Sequence, residues 1–234
     1  MALPKLNVPM YDLELPSTKE KITYRPFLVK EEKILLLALE EENEKAMAVA
    51  LKQIVNNCTS GLDNIDQLPL FDLEYMFLRI RAKSVGEVAD LKLLCEDDVK
   101  TYVDVQIPLE EIEVSFTEGH TNKINLTDDV IVEMRYPTFE MLGVAPGDMN
   151  VEKTFQLIGS CIERIYEGET VHERADFSNK ELGEFLDSFS SEQFQSVQTF
   201  FETMPKLKHE VKFKNPKTKK QNKVTLEGLQ SFFA

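Results

Sequence analysis

The chain holds three histidines, His120, His172 and His209, the residue type most often used as a metal ligand or general base near neutral pH. They lie far apart, and none has the spacing of an HExxH ligand pair. His172, flanked by Glu173 and Arg174, reads as a surface residue. Cys161 follows Gly159-Ser160, but the GxSxG elbow that lifts a nucleophile onto a strained turn is missing. It also continues an apolar row, which makes it a buried thiol. The other two cysteines, Cys58 and Cys95, complete an odd and widely spaced set. Such a set builds neither a disulfide framework nor a metal knuckle, and it predicts a reducing compartment. Asp97-Asp98 and Asp128-Asp129 lack the alternating ligand spacing of a calcium loop and read as exposed turn residues. An acidic cleft made from these four would be the starting point for a hydrolase, yet no base–nucleophile pair accompanies them. Glu31, Glu32 and Glu40 to Glu42 have no histidine nearby and read as a solvated helix face. Neither GxxxxGK[ST] nor GxGxxG occurs, and Gly143 to Gly147 is a turn without a phosphate-binding context. The chemistry-bearing residues therefore point away from an enzyme, a metal site or a cofactor and toward a protein that works by contact.

Charge narrows the partners. The net charge of −14 argues against general affinity for nucleic acid or an anionic membrane, and aromatic residues do not interleave with a basic surface as in single-strand binders. The longest apolar run, Ile34 to Leu39, is far below the roughly 20 residues of a membrane span. The start MALPKLNVP has no signal-peptide core, which predicts a cytoplasmic location. The charge is uneven: from Pro205 onward eight lysines face Glu210 and Glu227, a balance of +6, which leaves −20 on residues 1 to 204. Such a basic end binds an acidic partner, folds back on its own body, or keeps an exposed hairpin soluble. The candidate partner-binding residues are Lys217, Lys219 and Lys220 of this hairpin with Leu229, Phe232 and Phe233 of the terminal segment, since aromatic anchors in charged surroundings mark hot spots. The alternative is that the terminal segment closes its own core. On the docking reading, truncation before Leu226 spoils binding and leaves most of the fold intact.

The elements that must position these residues form an α+β pattern. Tyr11 to Leu15 and Lys21 to Tyr24 read as a hairpin around Pro16-Ser17-Thr18-Lys19. A helix from Val29 and a second carrying Met47, Leu51, Ile54 and Val55 follow. Leu70 to Gly86 has two adjacent apolar rows, with acidic residues early and basic residues late, and is expected to be a helix packed from several sides. Val88 to Leu93 and Tyr102 to Ile107 read as a central hairpin with Cys95 at its tip, and Ile124 to Leu126 with Val130 to Tyr136 as further strands. Val151, Phe155, Ile158, Ile162 and Ile165 follow one helical row. Ser178 and Ser190 are expected helix caps. His209 to Thr225 forms the basic hairpin, echoing the central one, and Leu226 to Phe233 a short terminal helix. The expected regions are 1–142, an N-terminal α+β part, and 143–234, a helical part with the terminal hairpin, unless the two form one continuous domain.

Two stretches carry a family resemblance: Ile22 to Lys33 (ITYRPFLVKEEK) and Phe71 to Glu87 (FDLEY…RAKSVGE). They resemble the baseplate hub assembly family of T-even-like contractile-tail phages. The likeness continues through His120-Thr121-Asn122 and Met134 to Pro137 into the Leu226–Phe233 end. The resemblance implies a non-enzymatic, chaperone-like factor that contacts phage baseplate hub proteins, acting in the host cytoplasm during tail assembly. A permanent structural subunit of the hub, carried in the virion tail baseplate, is the alternative it also allows. Some relatives carry paired cysteines on the two hairpins like a zinc ribbon. Here only Cys95 remains and Asn215 to Lys220 has none, so a four-ligand zinc site is not supported.

Overall fold

The structure, a computed structural model, describes residues 7–41, 44–62, 64–142 and 150–232, with 44, 45, 140, 142, 230 and 232 described in backbone alone. The fold is α+β, with antiparallel sheets throughout the described residues. The chain divides into two compact units, residues 1–65, 71–115 and 206–234 in the first and 66–70 and 116–205 in the second. The turn at Gly143 expected to separate two regions lies outside the described residues. The basic C-terminal hairpin is counted with the first unit because its first strand pairs with a strand at 113–115.

In the first unit β1 (Tyr11–Glu14) pairs with β2 (Lys21–Tyr24), and β2 with the two-residue β3 (Thr59–Ser60). Between β2 and β3 lie α1 (Val29–Glu40) and α2 (Glu44–Cys58), which pack together. Glu31, expected on a solvated face, is instead fully buried. Its burial is made possible by Arg25, which donates to both carboxylate oxygens at 3.1 and 3.3 Å, and by the Leu28 N–H at 2.9 Å. A charge-assisted, bidentate partner and an otherwise orphaned helix N–H together compensate its desolvation.

The core of this unit is α3 (Leu70–Val85). Its two apolar rows leave little of it for water: Leu73, Met76, Leu78 and Ile80 are all at most 1% exposed. Each polar side chain caught in that burial has an assigned partner. Asp72, fully buried, accepts the Ser17 N–H at 3.1 Å and the Ser17 hydroxyl. The Ser84 hydroxyl accepts the Phe27 N–H at 2.9 Å. Arg79 donates to the Leu109 and Ile112 carbonyls at 3.2 and 2.9 Å and to Glu113 at 2.7 Å, with its guanidinium 4.6 Å from the Tyr75 ring centroid. Lys83 reaches Glu87 at 2.6 Å and Glu110 at 2.7 Å.

After α3 come the two-stranded ribbon β4 (Val88–Leu94) and β5 (Tyr102–Pro108), and then β6 (Glu113–Ser115). The second unit holds β7 (Lys123–Asn125), β8 (Val130–Met134), α4 (Phe139–Leu142), α5 (Val151–Ser160), β9 (Ile162–Glu167), β10 (Thr170–Glu173), α6 (Asn179–Asp187) and α7 (Ser191–Thr203). Its sheet runs β10-β9-β8-β7, and Val132, Ile162, Leu182, Leu186, Val197 and Phe200 meet in its core. The helical row expected to run on to Ile165 stops at Ser160: Ile162 and Ile165 are strand residues facing Met134 and Val132 of β8. Both are β-branched and gain more from a pleated, paired position than from another helical turn. Ser178 and Ser190 do cap α6 and α7, each accepting a backbone N–H at 3.3 Å in a capping box. The chain returns to the first unit with β11 (Lys206–Lys214), which pairs with both β12 (Gln221–Glu227) and β6, and ends in a single 3-10 turn, Leu229–Phe232. Leu226, expected to open a terminal helix, is a strand residue of β12.

Replacing Arg79 by methionine keeps most of the apolar stem but orphans two buried carbonyls. The expected loss is roughly 2–4 kcal/mol of stability in urea unfolding, against about 0.5 kcal/mol or less for an exposed control such as Lys92→Met.

Candidate contact surface

The β11–β12 ribbon reverses through Asn215-Pro216-Lys217-Thr218-Lys219-Lys220. Proline presets the entry dihedral. Asn215 Oδ1 accepts the N–H groups of Lys217 and Thr218 at 2.8 and 3.3 Å. The Lys219 N–H closes the loop on the Asn215 carbonyl at 3.0 Å, with Lys219 held at φ 63°. The tip of the β4–β5 ribbon has a matching frame: the Val99 N–H bonds the Cys95 carbonyl at 2.9 Å and Val99 sits at φ 53°.

One carboxylate joins the two tips. Asp97 Oδ1 accepts Asn215 Nδ2 and Asn222 Nδ2, both at 2.9 Å, and its Oδ2 accepts the Thr218 hydroxyl. In return the Asp97 N–H donates to Asn222 Oδ1 at 3.2 Å. The neighbouring Asp98 folds inward on its own loop, accepting from the Thr101 hydroxyl at 2.6 Å and from the N–H groups of Thr101 and Lys100 at 3.0 and 3.1 Å. The Asn215 amide and the other donors hold the Asp97 carboxyl below its ordinary range, and the Thr101 hydroxyl and its companions do the same for Asp98. Both stay ionised and saturated with donors, the opposite of what a general acid needs. The sequence placed these two aspartates in a turn but gave no sign that Asp97 would clamp a second hairpin 118 residues away.

This clamp presents Lys217, Lys219 and Lys220 at an exposed edge, and among the described residues these three make no ion pair. Three lysines further down the ribbon are neutralised: Lys212 and Lys223, directly opposite each other, share Glu210, and Lys206 meets Glu227 at 2.9 Å, whereas Lys208 and Lys214 are exposed and make no ion pair among the described residues. The unpaired positive charge is thus densest at the tip, where Lys217, Lys219 and Lys220 stand together next to Lys214.

The terminal segment behaves differently from an exposed anchor. Leu229 is only 7% exposed, and its N–H donates to Glu74 Oε1 of α3 at 3.2 Å. Gly228 makes the approach at φ 71°, with its N–H on the Leu207 carbonyl at 3.0 Å. Leu229 belongs to the core of the first unit, as does Leu226 at 6% exposure. Truncation before Leu226 would therefore open that core, contrary to the expectation that it spares the fold. Phe233 and the side chain of Phe232 lie outside the described residues.

The remaining sequence candidates have packing roles. His120 bonds Thr203 Oγ1 through Nδ1 at 2.9 Å and the Tyr136 hydroxyl through Nε2 at 3.1 Å, beside the Phe200 ring. Burial lowers its pKa. Cys161 is fully buried, which pushes its thiol up to about 12, and burial likewise pushes Cys58 up to about 11. Among the described residues no three His, Cys, Asp or Glu groups converge to hold a metal ion, and no helix is long and apolar enough to cross a membrane. A shallow polar cleft of about 250 Å³ in the second unit is lined by Arg135, Thr138, Ser160 and Arg174 among others. Both guanidinium groups already donate within the unit, to the Ser160 and Phe177 carbonyls.

A model of the family described as T4 bacteriophage base plate protein matches residues 8–234. The chain belongs to that family. No curated protein and no solved structure matches it. Membership gives this baseplate protein a structural or assembly role among other baseplate proteins, and directs attention to surfaces rather than clefts. Besides the lysine tip, sequence reasoning missed one such surface: on α1, Val29, Leu36, Leu37 and Leu39 are each at least half exposed. The signal was present in the unbroken run from Ile34 to Leu39, because such a run places apolar groups on every face of a helix.

Two outcomes are expected. Asp97→Ala should leave β11 and β12 paired but loosen the tip, seen as faster amide exchange at Lys217 to Lys219 than in the native protein, with strand amides unchanged. Glu74 is pushed up to about 7 by burial, its Leu229 N–H bond offsetting only part of that cost. Its folded pKa lies above the unfolded value, so its contribution is complete at low pH and is lost as pH rises through the window ending near 7. Glu74→Gln should therefore raise stability at pH 8 by up to about 3 kcal/mol and change little at pH 4.

Proposed function

We propose that this baseplate-family chain is a hub assembly factor that acts by contact, holding hub components during tail assembly in the host cytoplasm without any covalent step. The resemblance of the Ile22–Lys33 and Phe71–Glu87 stretches to hub assembly proteins supports this finer reading within the family. The observation that carries it is the clamped, unpaired lysine tip. Charge that is fixed in place before the encounter steers an acidic partner without an ordering cost, which speeds association and sets its orientation. An acidic body with one basic point also disfavours contact with like-charged bodies and leaves the tip as the preferred approach.

Co-purification from phage-infected cells, with mass spectrometry of assembly intermediates and of finished virions, tests the reading. A transient factor accompanies hub proteins in intermediates and is absent from virions. Recovery from virions in stoichiometric amount would instead make it a permanent hub subunit. The triple substitution Lys217→Glu, Lys219→Glu, Lys220→Glu should weaken capture of the hub partner about tenfold or more, chiefly through the on-rate and most strongly at low salt.

A further inference from the structure

The polar cleft of about 250 Å³ in the second unit is bordered by two guanidinium groups, two side-chain amides and two hydroxyls, and among the described residues no carboxylate lines it. That is unusual ground for a unit whose six basic and eighteen acidic side chains give it a net charge of −12. Arg135 is held on one edge, where its Nε donates to the Ser160 carbonyl at 3.1 Å and lies 3.4 Å from Glu163. Arg174 donates to the Phe177 carbonyl at 3.0 Å and to Asn179 Oδ1 at 2.6 Å, with its guanidinium 5.4 Å from the Phe177 ring centroid. It makes no ion pair among the described residues, and the carboxylates beside it are engaged elsewhere. Glu173 accepts Arg164 Nε at 2.8 and 2.9 Å, and Asp176 accepts the Glu173 N–H at 2.7 Å. Thr138 gives the clearest sign of a missing partner. It borders the cleft and is only 8% exposed, yet its hydroxyl makes no hydrogen bond among the described residues. Folded proteins rarely leave such a hydroxyl unmatched.

We propose that this cleft is a carboxylate-binding site, in which Arg135 and Arg174 grip the anion while Thr138 and the Asn179 amide complete its hydrogen bonds. The fork of a guanidinium matches the two oxygens of a planar carboxylate. Because Arg174 takes Asn179 by Oδ1, the Nδ2 group is left as the donor. The charges also match. Glu163 compensates one of the two guanidinium groups, which leaves a single positive charge for a single negative one. A dianion such as phosphate would meet the field of the acidic unit at about twice the cost, so a monoanion is favoured. The volume falls below the roughly 300–1,000 Å³ of sites for drug-sized ligands. It suits a group of side-chain size, either a small free acid or an acidic side chain or chain terminus of a protein. Both guanidinium groups are fixed before binding, which lowers the ordering cost. Nothing in this site depends on the hub reading or on the lysine tip.

Titration of the full chain with acetate, followed through the arginine Nε–H signals in NMR, tests the site. Acetate at pH 7 should shift the Arg135 and Arg174 signals saturably, with a dissociation constant on the order of 10 mM. Inorganic phosphate at pH 8 should bind about threefold more weakly or worse. Thr138→Val should weaken acetate about fivefold and leave the melting temperature unchanged or higher, since a buried hydroxyl without a partner does not stabilise the fold. Arg174→Gln should weaken acetate about tenfold or more, and Arg174→Lys, which keeps the charge but loses the fork, should recover only part of that loss. The triple lysine-tip variant should bind acetate as the native protein does. Two blocked tripeptides separate the sources, one with its only carboxylate on a glutamate side chain and one with it at the chain terminus. Tighter binding of either than of acetate assigns the site to a protein partner, and acetate-like affinity for both assigns it to a small free acid. The proposal is overturned by the absence of a saturable shift up to about 100 mM acetate, by tighter binding of phosphate, or by undiminished binding in Arg174→Gln or Thr138→Val.

Discussion

The first unit depends on the cost of enclosing α3. A helix whose apolar rows cover most of its circumference cannot keep its polar side chains in water, and a buried polar group without a partner costs more than a formed hydrogen bond returns. Asp72, Glu74, Arg79 and Ser84 therefore act as addresses. Each specifies one neighbouring segment: the 15–20 turn, the Gly228–Leu229 backbone, the 109–113 segment and the Phe27 amide. The apolar rows supply the driving force, and these four contacts select which segments may lie against them.

The same device recurs at the turns. Leu15-Pro16-Ser17-Thr18-Lys19-Glu20 and Asn215-Pro216-Lys217-Thr218-Lys219-Lys220 share Pro, Thr and Lys at equal positions. Both carry a left-handed lysine, at φ 62° and 63°, and in both the threonine hydroxyl accepts an N–H two residues on at 3.3 Å. Each is gripped by a carboxylate from elsewhere in the unit, Asp72 for the first and Asp97 for the second. A turn that keeps a non-glycine residue at positive φ gives up conformational energy, and a carboxylate that engages several turn donors at once compensates for it. Where zinc would hold two such ribbons through cysteines, Asp97 does so here through neutral donors.

Much of this architecture was readable in advance. The serine caps at 178 and 190, the hairpin turns and the α3 core follow from local rules, because the deciding atoms lie within four residues of one another. What escaped was non-local. Nothing near Glu31 signals that Arg25 will fold back to neutralise it, and nothing near Asp97 announces Asn215. The run from Val151 to Ile165 fits a helical period as well as a strand, and sheet pairing with Met134 and Val132 decides it. The lysine tip was legible as composition, whereas which lysines below it are paired, Lys206, Lys212 and Lys223, required the register of β11 and β12. Leu229 looked like an anchor because sequence cannot tell a terminal residue that leaves the core from one that enters it.

The pairing of β6 with β11 also has a consequence in time. During synthesis β6 leaves the ribosome long before the basic ribbon, which follows the whole of residues 116–205. The second unit can close once residues 116–205 are made, since its other part, 66–70, precedes them, while the first must hold α3 and β6 incomplete until β11 arrives. Its contacts span large sequence separations, and such topologies fold slowly and expose apolar surface while they wait. The nascent chain is thus most vulnerable to misassociation during translation of the intervening unit, and a pause there would lengthen the exposure of α3 rather than shorten it.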